Sequence, residues 1–404
     1  MTSFQEMTFS ELLSDAEVFV DGDWVESKDQ DQNGDVRLIQ LADIGDGFYI
    51  DKSSRFLNSE TAKRLKCTYL KEGDILVARM PDPLGRTCIF PKSEMPCVTV
   101  VDVCIIRPNP NKVDNRWLMH TINSAVMRQR INEYVTGTTR QRISRGNFSK
   151  LKISVPPLAE QRRIASILDQ ADELRQKRQQ TIEKLNQLLQ ATFIDMFGDP
   201  VSNPKGWDLV RVGEVVNEFI GGKNIECPDE SDSDYKILKV SAVTSKVYKP
   251  HESKFAPNTF EPNPLAIVEK GDLLFSRANT TELVAATAYV WETPENIVLP
   301  DKLWKFSISD ESKVNKLYLW DLFKNIEFRN ELSKLSSGTS GSMKNISKGK
   351  LNELKMPLPP KELQDKFAEF STKLWVQIKT FQQSSDSLDS LFNSLQNQAF
   401  NGTL

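Results

Sequence analysis

Residues 155–200 constrain this chain more than any other stretch: VPPLAEQRRIASILDQADELRQKRQQTIEKLNQLLQATFIDMFGDP. A Pro-Pro pair stops whatever precedes it and a Gly-Asp-Pro stops whatever follows, leaving about forty residues without glycine or proline. Such a run is one long helix. Its apolar and small residues fall alternately three and four apart at Ile164, Ile167, Ala171, Leu174, Leu185, Leu188 and Thr192, with Arg178 and Thr181 in the middle places. This reads as a heptad seam with a polar centre. At 1.5 Å per residue the helix extends roughly 50 to 60 Å, longer than the core of an ordinary domain accommodates, so it requires a partner helix.

An internal repeat supplies the partner. GDILVAR at 73–79 recurs as GDLLFSR at 271–277, the helical run at 115–134 recurs at 316–335, and SVPPLAEQRRI recurs as PLPPKELQDKF. The chain is two copies of a unit of about 200 residues. The second copy also ends in a heptad-bearing run, at Phe367, Phe370, Leu374, Gln377, Phe381, Ser384, Leu388, Leu391 and Leu395. Antiparallel pairing places the start of the second helix beside the end of the first, so no long return crossing is needed. The expected fold class is α+β: two mixed α/β domains related by internal repeat, separated by a two-helix antiparallel coiled coil. The domains are expected at 1–155 and 200–357, and the helices at 156–199 and 358–404.

Composition narrows the function classes. The 404 residues suffice for two or three cores, and 39% hydrophobic with 26% charged residues is ordinary for a soluble globular protein. The opening MTSFQEMTFSELLSDAE has neither a basic start nor an apolar run, and no apolar stretch approaches the roughly 20 residues that cross a bilayer. A cytoplasmic protein without a membrane partner is expected. Five cysteines with no C-x-x-C suit a reducing compartment and argue against a zinc ribbon. Two histidines, His120 and His251, exclude a histidine-rich metal site. A net charge of −3 means that any nucleic-acid role rests on local patches.

Such patches precede each proline pair. Between Glu133 and Glu160 no acidic residue occurs, yet Arg140, Arg142, Arg145, Lys150 and Lys152 stand among Thr, Ser, Asn and Gly, including Thr138. In the second copy Lys334, Lys344, Lys348, Lys350 and Lys355 accompany Thr339, with Glu353 as the one acid. Cations, short hydroxyls and exposed N–H groups suit contact with a duplex backbone. A basic loop can equally be a solvated surface, and recurrence in both copies favours contact. GDILVAR and GDLLFSR each read as a glycine turn entering a buried strand that ends on arginine. Arg79 and Arg277, with Asn279 just beyond, are candidate base or phosphate readers.

Enzyme signatures are scarce: no phosphate loop, dinucleotide turn, H-E-x-x-H or G-x-S-x-G occurs. The nearest cluster is PDESDSDYK at 228–236, whose Asp229, Asp234 and Lys236 could serve a magnesium-dependent nuclease. This alternative competes with a solvated acidic loop.

Taken together, LKISVPPLAEQRRI and LKMPLPPKELQDKF, each followed by a long helix, with GWDLVRVGEV opening the second domain, resemble the specificity subunit of type I restriction-modification enzymes. The resemblance covers essentially the whole chain. It departs from the family pattern in DGDWVESKDQ near the start and in Lys361 and Leu363 of the second proline motif. It implies a non-catalytic DNA-binding subunit in which each domain, as a target-recognition domain, reads one half of an asymmetric, bipartite site. The helical pair would set the spacing and dock two methyltransferase subunits, with restriction and translocase subunits joining the complex. S-adenosylmethionine, Mg²⁺ and ATP would belong to those partners, and this chain would bind no cofactor. The resemblance leaves the base-contacting residues unassigned.

Overall fold

The computed structural model describes residues 4–137, 140–228, 231–308, 310–338 and 343–404. The chain forms two compact units: residues 1–179 with 383–404, and residues 180–382. The central helix (Leu158–Phe197) and the terminal helix (Lys361–Asn401) are each continuous, and each contributes one part to either unit.

In unit one the strands in chain order are β1 (Gln5–Thr8), β2 (Val18–Asp21), β3 (Val36–Ile39), β4 (Phe56–Leu57), β5 (Ile75–Ala78), β6 (Thr87–Ile89), β7 (Cys97–Thr99), β8 (Val103–Arg107) and β9 (Lys152–Val155). They make an antiparallel sheet ordered β2-β8-β5-β6, a three-stranded sheet β4-β3-β7 with β3 and β7 parallel, and the pair β1-β9. Central β5 is buried at all four residues because both of its faces are covered. Its entry turn needs Gly73, whose φ of +90° disfavours any residue with a Cβ. The following Asp74 caps that turn by accepting from Lys71 N, and it takes a two-pronged bond from Arg107 on β8 at 2.7 and 2.8 Å.

Unit two repeats this plan. Its strands are β10 (Leu209–Arg211), β11 (Glu218–Gly221), β12 (Lys236–Leu238), β13 (Ser253–Phe255), β14 (Leu273–Ser276), β15 (Ala278–Asn279), β16 (Thr287–Tyr289), β17 (Ile297–Val298), β18 (Leu303–Ser307), β19 (Lys344–Asn345) and β20 (Lys355–Pro357). The orders β11-β18-β14-β16 and β13-β12-β17 match unit one strand for strand, and β10-β20 matches β1-β9. Gly271 repeats the φ of +90°, and Asp272 repeats the cap, its basic partner on β18 being Lys305, two residues earlier along the strand than the counterpart of Arg107.

The helical run after the sheet is two helices in each copy rather than one. Asn115–Asn123 gives way to Ala125–Glu133 at Ser124, and Lys316–Lys324 gives way to Ile326–Lys334 at Asn325. Ser124 and Asn325 hold extended-type ψ values and cap the second helix, so a short polar side chain ends one helix and starts the next.

In unit one the central helix packs antiparallel to the terminal helix: Arg163 donates to the Leu404 carbonyl at 2.8 Å and Arg175 to Asp389 at 2.6 Å. In unit two the Phe367 ring lies 5.4 Å from both Phe193 and Phe197. The antiparallel coiled coil expected from the sequence is therefore present within each unit. Its register differs from the expected one in half of the seam. Ile164, Ala171, Arg178 and Leu185 do lie on it, but the alternate positions are Leu168, Arg175, Ile182 and Leu189, one residue beyond those expected, with Gln161 at the head of the same column. On the terminal helix Phe367, Leu374, Phe381, Leu388 and Leu395 hold, Ser371, Ile378, Ser385 and Phe392 replace Phe370, Gln377, Ser384 and Leu391, and Gln364 heads that column. The expected Leu174 and Leu391 are 55% and 50% exposed. Polar residues seated on the true seam disguised it.

Gln161 and Gln364 explain why the seam tolerates polar groups. Gln161 donates to the Lys112 and Pro156 carbonyls, both at 3.0 Å, and accepts from Asp114 N at 2.9 Å. Gln364 donates to Lys313 and Pro359 carbonyls and accepts from Asn315 N. Each is essentially fully buried, with every side-chain polar atom used.

Candidate nucleic-acid interface

Each basic loop begins as a narrow antiparallel hairpin. Thr136 and Arg142 exchange backbone bonds of 2.9 and 3.0 Å, and Ser337 and Asn345 exchange two of 2.9 Å. An isoleucine then plunges into the core: Ile143 and Ile346 are fully buried. Next a serine caps a short helix, Ser144 accepting from Asn147 N and Ser347 from Lys350 N. The shared order Ile-Ser-basic-Gly thus fixes a basic loop between a buried anchor and a capped turn.

Within this frame the candidate residues divide. Arg140 and Arg142 are exposed, and no acidic side chain among the described residues pairs with either guanidinium. Lys348 is exposed, 5.8 Å from the Trp304 ring centroid. Lys344 donates to the Gly338 carbonyl and lies on β19, which pairs with β15 and so brings Asn279 beside it. Arg145 is half-buried, donating to the Phe19 carbonyl at 2.7 Å. Thr138, Thr339 and Asp229 lie outside the described residues.

Arg79 and Arg277 are placed differently from those cations. The Arg79 side chain is only 4% exposed; it donates to Val101 O at 2.5 Å and Ile143 O at 3.4 Å, and its Nε lies 3.3 Å from Asp21. Arg277, 23% exposed, donates to Asp301 O and Asn345 Oδ1 and lies 3.3 Å from the Asp301 carboxylate. In the sequence these are two strand-ending arginines; the carbonyls that engage them come from distant turns and leave no local signal.

The acidic stretch shows no comparable organisation. Asp234 is exposed and the Lys236 ammonium sits 4.5 Å from the Phe255 ring centroid. Among the described residues no group of three or more His, Cys, Asp or Glu side chains is disposed to hold a metal ion. No helix among them is long and apolar enough to cross a membrane. Burial raises the Cys88 and Cys104 thiols to about 12, so these cysteines are inert core residues.

Comparisons with known proteins give the family. The family described as type I restriction modification DNA specificity domain matches twice, at residues 7–186 and 204–388. The MjaVIII specificity subunit of Methanocaldococcus jannaschii is 24% identical over 389 residues, covering 91% of this chain and 88% of that protein. The EcoEI specificity subunit of Escherichia coli is 30% identical over 169 residues, which cover 41% of this chain and 28% of that protein. The crystal structure of the type I restriction-modification S subunit from M. genitalium shares the fold, with a TM-score of 0.56 at 15% identity over 99% of this chain and 96% of that one. The chain belongs to the type I restriction-modification DNA specificity family and carries two copies of its domain.

Proposed function

We propose that each unit reads one half of a bipartite, asymmetric DNA site through its basic hairpin and the capped turn beyond it. The observation that carries this reading is recurrence: in both copies the same paired hairpin, buried isoleucine and serine cap present cations that are weakly engaged or have no acidic partner among the described residues. In unit one those cations are Arg140 and Arg142, and in unit two Lys344 and Lys348, with Asn279 beside them and Arg145 bracing the first loop. Thr138 and Thr339, which follow Thr136 and Ser337 by two residues in the sequence, would join this set.

The helical pair would fix the separation of the half-sites and dock two methyltransferase subunits, through which the restriction subunits join. Exposed apolar side chains on the helices support docking: Leu174 and Leu391 in unit one, and Leu188, Ile194 and Val376 in unit two. Chemistry on DNA, with its S-adenosylmethionine, Mg²⁺ and ATP, would then reside in the partners, in the cytoplasm, and this chain would be the non-catalytic selector.

The test is binding of duplex DNA by the chain assembled with its methyltransferase partner, measured over a range of salt. Removing one phosphate contact lowers the slope of log K against log salt by about 0.9. Arg142→Ala should weaken binding and flatten that slope by about one contact. An unchanged slope and affinity for Arg142→Ala and Lys348→Ala would remove the hairpins from the interface.

A further inference from the structure

The strand-ending arginines occupy one structural position in both copies, and their backbones are wired identically. Arg79 N donates to Asp102 O and Arg79 O accepts from Ile143 N; Arg277 N donates to Lys302 O and Arg277 O accepts from Ile346 N. Each arginine thereby joins three pieces of chain: the end of the central strand, the turn before β8 or β18, and the isoleucine that follows the basic hairpin. The guanidinium tightens the same junction. In unit one it holds Ile143 O and Val101 O while facing Asp21, and in unit two it holds Asp301 and Asn345.

We infer that Arg79 and Arg277 are positioning residues that set the orientation of their own basic hairpin and hence the selectivity of their own half-site, without contacting DNA. This inference rests on the proposed half-site reading. Three observations carry it. The Arg79 side chain is nearly inaccessible, its terminal nitrogens turned onto the Ile143 and Val101 carbonyls and its Nε buried beside Asp21, so it has no exposed donor fork to offer a base. The carbonyls that it holds belong to Ile143, just after the hairpin, and to Val101, in the turn before β8. The second copy reaches the same end by other atoms: Asn345, which closes the hairpin opposite Ser337, takes the bond that Ile143 O takes in the first copy. A planar fork bridging two fixed acceptors also explains the demand for arginine, since a lysine ammonium is a point charge that cannot hold both acceptors in the same geometry.

The experiment uses the chain assembled with its methyltransferase partner and duplexes in which either half-site is altered in turn. Variants are Arg79→Lys, Arg277→Lys, Asn345→Ala and the double variant Arg277→Lys/Asn345→Ala, each checked for an intact melting profile. Arg79→Lys should lose about tenfold of the discrimination at the half-site read by unit one and none at the other, the size of a single mismatched base pair. Arg277→Lys and Asn345→Ala should each do the same for unit two, and the double variant should be no worse than the worse single one. The salt slope should stay at the wild-type value in all of them, because no phosphate contact is removed. A slope lowered by one contact, or additive losses in the double variant, would make Arg277 a contact residue and overturn the inference. Equal loss at both half-sites would reduce either arginine to a general stabiliser and overturn it as well. A wild-type complex with no bipartite preference would instead sink the half-site reading itself.

Discussion

Gln161 and Gln364 occupy the same place in the two copies, each buried at the head of a long helix and bonded through all its amide atoms to the backbone of the domain behind it. The glutamine of the repeated P-P-x-x-x-Q pattern is thus a latch between helix and sheet domain. Replacing it with leucine strands two carbonyls and an N–H in a dry site. Gln161→Leu should cost about 1–3 kcal/mol in the unfolding of unit one, and Gln364→Leu the same in unit two. Urea melts resolving the two units would read this; a loss below the error of the fit would mean that water replaces the amide.

The seam register gives a sharper contrast. Leu168 is fully buried and Leu174 is 55% exposed, although both are leucines on one helix and a sequence pattern favours Leu174. Leu168→Ala should destabilise by about 2–5 kcal/mol. Leu174→Gln should stay within about 0.5 kcal/mol, as surface changes do. Comparable losses at the two positions would contradict the register.

Asp321 provides the pH-dependent case. Its carboxyl is buried, one oxygen accepting from Lys324 at 2.9 Å and the other without a partner among the described residues. Burial raises its pKa, and the neighbouring Lys324 offsets this only in part. The folded form therefore holds its proton to higher pH than the unfolded form. Stability of unit two should fall as pH rises from the ordinary carboxylate range, near 3.9, through the raised value. Asp321→Asn should flatten that decline and leave unit two more stable at neutral pH. A steeper decline in the variant would show that the ion pair outweighs burial.

Much of the fold is legible in the sequence because it is written twice. GDILVAR and GDLLFSR, and the two proline motifs, mark equivalent elements, and the glycine and proline breakers delimit both helices. The seam was legible in one column only, because Gln161, Arg175, Gln364, Ser371 and Ser385 sit on it while Leu174 and Leu391 face outward. Periodicity counts apolar letters, but an amide with three backbone partners, or an arginine paired with Asp389, is as compatible with that position as a leucine. The site was legible as a basic, hydroxyl-rich loop. The roles of Arg79 and Arg277 were not, because their acceptors lie tens of residues away along the chain.

Mapping modified bases in host DNA with the chain present and absent tests the central claim most directly. The account expects a motif with two defined halves and a fixed spacer, modified only when the chain is present, and substitutions at Arg140 and Arg142 should alter one half while those at Lys344 and Lys348 alter the other. A modification pattern indifferent to the chain, or a single uninterrupted motif changed as a whole by either set, would contradict it.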